Sequence, residues 1–366
     1  MAELLKDAYS IEYLSCLAID VQSVYRPFKT NEFLKSTLDE TWENLELKAR
    51  CRKITTSLGK HLPSDYKEAL AVIDEVIKKQ NATWQNGFAL FFPDFVEVYG
   101  QDEANFRLSI AALERYTPYA SAEFAVRPFI INHQDRMMKQ MLAWTKHESE
   151  DVRRLASEGC RPALPWGQAL NSFKKDPSPV LPILEQLKTD PSMYVRKSVA
   201  NNLNDISKTH PDLVAKIAKD WYGENEDTNW IVKHGCRTLL KKGNADVLAI
   251  FGFFDAASID VNGPVLDKKT LAIGESITFS FDIFTKKETK VRLEYGIDYV
   301  KASGKTSRKI FQISELLLKE NEKKSYDKSH SFADLSTRRH YPGVHSVVLM
   351  VNGAERGKLD FNLSEC

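Results

Sequence analysis

One segment of the chain concentrates residues that could do chemistry. Residues 152–166, VRRLASEGCRPALPW, hold three arginines, one glutamate and one tryptophan. Arg154 and Glu158 are spaced i, i+4 and would share one face of a helix. Pro162, Pro165 and Gly167 would end this helix and present Trp166 from a stiff turn. We interpret the segment as a functional surface, the alternative being that Glu158 only pairs with Arg154 and that Trp166 packs in a core.

A second segment carries a carboxylate in apolar surroundings. Residues 121–129, SAEFAVRPF, place Glu123 in an otherwise apolar helix, four residues before Arg127. An unpaired carboxylate is costly in such surroundings, which favours a functional role for Glu123. The alternative is a structural ion pair between Arg127 and Glu123.

The elements that must position these residues are predicted to be helices as far as Asp255. Apolar residues recur at helical spacing, as at Val195, Val199 and Leu203. The triplets VRR, VRK and VKH, which begin at residues 152, 195 and 232, recur at a period of about 40 residues, typical of HEAT-like repeats. Such repeats stack into a solenoid with a concave face, along which the basic residues would align. The alternative is that they are only exposed residues at helix starts.

The pattern changes after Asp255. Apolar residues alternate in residues 277–283, 291–299 and 347–351, and Asn352–Gly353 is a typical hairpin turn. Roughly seven short strands of this kind predict an immunoglobulin-like β-sandwich. We therefore predict a multidomain chain, with an all-α HEAT-like repeat solenoid in residues 1–255 and a small all-β sandwich in residues 258–366.

Composition and motifs exclude several classes of protein. The chain is 43% hydrophobic and 28% charged, with a net charge of +1, as in ordinary globular proteins. No apolar run reaches the roughly 18 residues that span a membrane, and no signal-like region is visible, so a cytoplasmic location is expected. The scattered cysteines predict reduced thiols. Phosphate-binding, metal-binding and hydrolase motifs are absent from the sequence, so neither a metal nor a cofactor is expected.

The two segments together, SAEFAVRPF followed by VRRLASEGCRPALPW, resemble the AlkC group of alkylpurine DNA glycosylases, relatives of the AlkD group. The likeness covers nearly the whole chain, because AlkC enzymes combine a helical body with a C-terminal immunoglobulin-like domain that AlkD enzymes lack. One departure is Ala163, where a basic residue is more usual in this family. Its absence would weaken one phosphate contact.

The resemblance implies a monofunctional DNA glycosylase that acts in base excision repair. Such an enzyme hydrolyses the N-glycosidic bond of cationic bases, 3-methyladenine and as a second candidate 3-methylcytosine, without deep base flipping. Breaking this bond leaves an oxocarbenium-like sugar, so the site must supply negative charge and a positioned water. Trp166 would add a cation–π attraction. The implied catalytic residues are Glu123, Glu158, Trp166 and Asp205.

Double-stranded DNA carrying alkylated bases is the implied partner, bound by basic residues through its phosphates. The helical part would contribute Arg127, Arg153, Arg154, Arg161, Lys197, Lys233 and Arg237. The sandwich would reach the minor groove and complete a clamp, or would be a stabilising or protein-binding appendage. Its candidate contacts are Lys305, Arg308, Arg338 and Arg339. A clamp within one chain needs no second subunit, so a monomer is expected.

The competing hypothesis is a non-enzymatic HEAT-like scaffold that binds DNA or protein partners. The acidic pair discriminates between the two hypotheses. A protein that only binds DNA gains nothing from carboxylates among its arginines, because carboxylates repel phosphates.

Overall fold

The computed structural model describes residues 5–79, 89–254, 256–335 and 338–365. Two compact units divide the chain, one of residues 1–209 with 225–235 and the other of residues 210–224 with 236–366. The second unit therefore joins three helices to all of the described strands. The predicted division into domains 1–255 and 258–366 stays a prediction, and Asp255 itself lies outside the described residues.

Sixteen α-helices form the helical part of the described chain. Those of the first unit are α1 (Ile11–Val24), α2 (Thr30–Thr37), α3 (Leu47–His61), α4 (Tyr66–Lys79), α5 (Phe91–Tyr99), α6 (Phe106–Tyr116), α7 (Val126–Asn132), α8 (Gln134–Trp144), α9 (Glu150–Glu158), α10 (Asn171–Lys175), α11 (Leu181–Leu187), α12 (Met193–Ile206) and α14 (Glu226–Gly235). Those of the second unit are α13 (Pro211–Trp221), α15 (Arg237–Lys241) and α16 (Ala245–Ile250). Among the described residues, no helix combines the length and the hydropathy of a membrane-spanning segment.

The repeat is visible in the packing of the helices that carry its triplets. α12 packs against both α9 and α14, so helices at equivalent positions of successive repeats are neighbours. The valine of each triplet, Val152, Val195 and Val232, is buried. This is the arrangement that HEAT-like repeats require, because a repeat buries its apolar face only against the next one.

Eight described strands follow the helices. They are β1 (Ile259–Leu266), β2 (Thr270–Ala272), β3 (Ser276–Thr285), β4 (Thr289–Val300), β5 (Thr306–Leu318), β6 (Lys323–Ser331), β7 (Gly343–Val351) and β8 (Ala354–Ser364). One sheet has the order β1-β3-β6 and the other β2-β8-β7-β4-β5. Only β2 and β8 pair in parallel among these strands. The apolar residues that alternate along β3, β4 and β7 are buried in a common core between the sheets.

The hairpin between β7 and β8 is the predicted one. Asn352 and Gly353 have φ angles of 46° and 78°, and a tight hairpin turn of this kind needs positive φ at both positions. Helical repeats followed by an immunoglobulin-like sandwich confirm the predicted fold class, with eight described strands in place of roughly seven.

A buried histidine lies at one end of the sandwich. The hydroxyls of Tyr295 and Tyr299 lie 3.0 and 2.7 Å from the two ring nitrogens of His330. Burial lowers the pKa of His330 from 6.5 to about 4, and the positive charges of Arg338 and His340 act in the same direction. The folded chain therefore keeps this imidazole neutral at mildly acidic pH.

We expect the protein to lose stability as the pH falls from about 6.5 to about 4, by up to about 3 kcal/mol from His330 alone. In this range the unfolded chain binds a proton at His330 and the folded chain does not, so acid favours unfolding. The measurement is the urea midpoint of the wild type and of His330→Gln at about pH 7 and about pH 5. The variant should show a smaller drop between the two pH values, and an identical drop would contradict the assignment.

Candidate active site

The end of α9 lies against α7 and α8. Gly159 follows Glu158 directly, and a Cβ on Gly159 would lie 2.6 Å from Val126 Cγ2 and 2.9 Å from Met141 Cε. The close approach needs glycine and brings the last residue of α9 towards the segment that carries Glu123.

Arg127 lies inside this joint. Its side chain is fully buried and donates hydrogen bonds to the carbonyl oxygens of Gly159 at 2.9 Å, Arg161 at 3.0 Å and Gln168. Burial lowers the pKa of Arg127 to about 10. The predicted phosphate contact of Arg127 is contradicted by this burial, and its guanidinium instead holds the turn after α9 to α7.

Arg154 joins the two predicted catalytic carboxylates. Its Nη1 lies 2.9 Å from Glu123 Oε2 and its Nη2 lies 3.7 Å from Glu158 Oε1. Ser121 Oγ donates to Glu123 Oε2 at 3.0 Å and accepts from Arg154 Nη1 at 3.1 Å. Glu123 and Glu158, from different segments of the chain, are thus brought to one guanidinium. The i, i+4 pair predicted from the sequence is present, as part of a larger cluster.

Glu158 has two unlike oxygens. Oε1 accepts a hydrogen bond of 2.6 Å from Arg161 Nη1. Oε2 is buried and has no hydrogen-bond partner within the described part of the chain. Nearly all buried polar atoms in proteins have a partner, so an open carboxylate oxygen needs an explanation.

The cluster continues to Asp205. Arg161 Nε lies 2.9 Å from Asp205 Oδ2, and Lys208 Nζ lies 2.9 Å from Asp205 Oδ1. Burial alone would lower the pKa of Arg161, but Glu158 and Asp205 raise it above its ordinary value. Acidic and basic groups therefore alternate from Glu123 through Asp205. Arg161 is buried and directed at carboxylates, which contradicts its predicted role as a phosphate contact.

Trp166 is a surface residue. Its side chain is 70% exposed and its φ is 62°, so the alternative of a core tryptophan is wrong. Its carbonyl oxygen accepts a hydrogen bond of 2.7 Å from Lys48 Nζ, which also lies 4.4 Å from the centroid of the Phe124 ring. Lys48 was not predicted from the sequence, because no local pattern connects it to Trp166, which lies far away along the chain.

Tyr194 is another residue that the sequence analysis missed. Its ring centroid lies 4.5 Å from the guanidinium carbon of Arg154, and its side chain is partly exposed. Burial raises the pKa of Tyr194, and Arg154 opposes this shift. The repeat pattern was the available signal, since Tyr194 directly precedes the second basic triplet.

The first basic residue of two repeats has a structural partner. Arg153 pairs with Asp190 at 2.7 Å, and Arg196 pairs with Asp227 at 3.0 Å. Each guanidinium also donates to two carbonyl oxygens of the turn before its own helix. The arginine therefore links one repeat to the next, and this structural role weakens the prediction that Arg153 contacts a phosphate.

The other predicted DNA contacts differ in exposure. Lys197, Lys233, Lys305 and Arg339 are exposed, and Arg237 is partly buried. Arg308 is held by Asp298 and Glu355, and Arg338 donates to the Tyr299 hydroxyl. The ion pairs of Arg308 weaken its case as a phosphate contact. Ala163 is partly buried.

Metal-ligating side chains do not cluster in the described residues, where no group of three or more histidine, cysteine, aspartate or glutamate side chains could hold an ion. The cysteines at 16, 51, 160 and 236 are free, and Cys366 lies outside the described residues.

Comparison with known proteins covers both parts of the chain. A family model described as DNA alkylation repair enzyme matches residues 48–239, and one described as Uncharacterised protein YhaZ, C-terminal Ig-like domain, matches residues 260–365. Uncharacterized protein YhaZ of Bacillus subtilis (strain 168) is 49% identical over 360 residues, which cover 98% of this chain and 99% of that protein.

A solved structure is similar over the full length. Pseudomonas fluorescens alkylpurine DNA glycosylase AlkC, bound to DNA containing an abasic site analog, superposes with a TM-score of 0.93 at 35% identity. The match covers 99% of this chain and 100% of that one. The chain therefore belongs to the DNA alkylation repair enzyme family and is of the AlkC type.

Proposed function

We propose that this protein is a monofunctional DNA repair glycosylase that hydrolyses the N-glycosidic bond of cationic alkylated bases in double-stranded DNA. 3-Methyladenine is the first candidate substrate and 3-methylcytosine the second. The observation that carries the proposal is that Oε2 of Glu158 is buried without a partner among the described residues, close to a second carboxylate. The similarity to AlkC, whose solved structure contains DNA with an abasic site analog, supports DNA as the partner.

The chemistry of base release explains why a carboxylate oxygen without a hydrogen-bond partner is needed. A 3-methylated adenine is positively charged and leaves readily, so the difficult species is the oxocarbenium-like sugar that remains. A fixed negative charge stabilises this cation, and a carboxylate oxygen can also accept a proton from the attacking water. Oε1 of Glu158 is held by Arg161, which leaves Oε2 for this task.

The three acidic residues have different proposed roles, which follow from their hydrogen bonds and ion pairs. We assign the water to Glu158, because only one of its oxygens is engaged within the described residues. Glu123, held by Arg154 and Ser121, supplies fixed negative charge near the sugar. Asp205 has a cation on each oxygen, so its role is to position Arg161.

Shallow binding of the lesion is supported by two features. Trp166 is exposed and can lie against a sugar or a cationic base from outside. A nearby cavity, lined by Lys48, Ser121 and Phe124 among others, has a volume of about 40 Å³. That is far below the roughly 300–1,000 Å³ of ordinary ligand pockets, so this cavity does not enclose a purine base.

The test is the release of base from duplex DNA that contains 3-methyladenine, followed by chromatography at several salt concentrations. The expected result is free 3-methyladenine and an intact strand that breaks only on later heating in alkali. Tight DNA binding without base release at any salt concentration would overturn the enzyme and support the scaffold. Strand cleavage without alkali would overturn the monofunctional assignment.

Lys197 is expected to contact a phosphate, since it is exposed on α12. Lys197→Gln should weaken binding to damaged and undamaged DNA alike and lower the slope of log K against log salt by about 1. Fluorescence anisotropy over a salt series measures this slope. Lys60→Gln, at an exposed position near the end of α3, is the matched control, and equal slopes for the two variants would contradict the contact.

A further inference from the structure

Lys48 occupies a position that its own helix does not favour. It lies in the first turn of α3, where no acidic residue is present and where the helix dipole repels a cation. Its ammonium is nevertheless well placed, at 2.7 Å from the carbonyl oxygen of Trp166 and 4.4 Å from the ring centroid of Phe124. The side chain thus contacts both segments that carry the proposed site, since Phe124 directly follows Glu123.

The turn at Trp166 is the part of the site that most needs support. With φ at 62°, Trp166 lies in the left-handed region, which a bulky side chain rarely adopts. The other non-glycine residues with positive φ in the described chain are asparagines, which tolerate this region. An exposed indole gains little from packing, so backbone contacts must hold the conformation.

Backbone hydrogen bonds close the turn around Trp166, and Lys48 binds the carbonyl oxygen of Trp166 itself. Gly167 N donates to the Leu164 carbonyl at 3.1 Å, and Leu170 N donates to the Pro162 carbonyl at 3.2 Å. The carbonyl of Trp166 accepts from Lys48 Nζ, a charge-assisted bond from another element. The direction of this carbonyl sets ψ of Trp166 and therefore the orientation of the turn.

We propose that Lys48 is a positioning residue that holds Trp166 in its left-handed conformation, so that the indole faces the lesion beside Glu123 and Glu158. The contact of Lys48 with Phe124 keeps the tryptophan turn in register with the segment of Glu123. This inference rests on the proposed function for its catalytic consequence, whereas the conformation of Trp166 can be measured without catalysis.

The experiment compares Lys48→Met, Lys48→Arg and the control Lys60→Met, which lies exposed on the same helix. Lys48→Met should lower the single-turnover rate of 3-methyladenine release about tenfold, because a displaced positioning group costs one to two orders of magnitude. Affinity for undamaged DNA and the melting temperature should stay as in the wild type. Lys48→Arg, which keeps a cationic donor, should restore most of the rate, and Lys60→Met should leave it unchanged.

A double-mutant cycle with Trp166→Ala isolates the positioning role. If Lys48 acts through the indole, Lys48→Met should cause no further loss of rate in the Trp166→Ala background. An equal tenfold loss in both backgrounds would overturn the proposal. A general structural role would instead lower the melting temperature together with the rate.

Fluorescence gives a readout that does not depend on base release. The emission of Trp166 is obtained by subtracting the emission of the Trp166→Phe protein from that of the protein with Trp166, with the same residue at position 48 in both. Lys48→Met should lower the fluorescence anisotropy of this emission, because a released turn lets the exposed indole rotate more freely. Unchanged anisotropy would overturn the proposal even if the wild type is active. If the wild type released no alkylated base, the proposed function would fail, while the anisotropy would still decide whether Lys48 holds the turn.

Discussion

Replacement of Glu158 by glutamine is expected to lower the single-turnover rate of base release by a factor of at least about 100. The amide keeps the shape of the side chain but removes the negative charge and the basic oxygen. In the folded chain Oε2 is buried without a partner among the described residues, so no neighbouring group already engages the oxygen that we assign to the attacking water. The measurement is the rate of 3-methyladenine release with enzyme in excess over DNA.

The variant should stay folded and bind DNA. When Glu158 loses its charge, Arg161 keeps its ion pair with Asp205 and Arg154 keeps its ion pair with Glu123. The melting temperature and the affinity for undamaged DNA should therefore change little. Glu148→Gln, at an exposed position just before α9, is the matched control and should keep the full rate. A Glu158→Gln enzyme as fast as this control would remove Glu158 from the mechanism.

Replacement of Arg127 by methionine is expected to cause the largest loss of stability, about 3–5 kcal/mol in the free energy of unfolding. Methionine fills part of the volume but donates no hydrogen bond. The carbonyl oxygens of Gly159, Arg161 and Gln168 would lose the donors that Arg127 gives them, in a region closed to water. Urea denaturation of the whole chain, followed by circular dichroism, measures the change.

The control for Arg127→Met is Arg107→Met, an exposed arginine on α6, which should change stability by less than about 0.5 kcal/mol. Arg127→Lys should remain destabilised, since one ammonium cannot reproduce the planar fork that reaches three carbonyls. An Arg127→Met protein as stable as the control would show that the turn after α9 does not need the hydrogen bonds of Arg127. Base release should fall with stability, because this turn carries Trp166.

Local features of the chain were predictable because they depend on neighbours in sequence. Helical spacing brings Arg154 within 3.7 Å of Glu158, as the i, i+4 rule requires. Alternation and an Asn-Gly pair predict the strands and hairpin of the sandwich, since side chains of a strand point to opposite faces. Prolines and a glycine after α9 end the helix and leave Trp166 exposed.

The partners of the charged groups were decided by packing. Every arginine carries the same charge in the sequence, but Arg127 lies inside the first unit. Arg153 is directed at Asp190 in the loop before α12, and Arg161 is directed at Asp205 on α12. Which helices meet depends on the fit of apolar faces far apart in the chain, and local spacing does not encode that fit. Burial then determines whether a guanidinium is free to contact a phosphate.

The amino-acid sequence was enough to predict the two kinds of fold, the AlkC resemblance and the two segments that carry the proposed site. Packing in three dimensions was needed to show that Arg154 joins Glu123 to Glu158 and that Lys48 reaches Trp166. It also showed that Oε2 of Glu158 has no hydrogen-bond partner among the described residues. The physical reason is that periodicity and turn residues act over a few positions. Ion pairing and desolvation act through space, between residues that are brought together when the repeats stack.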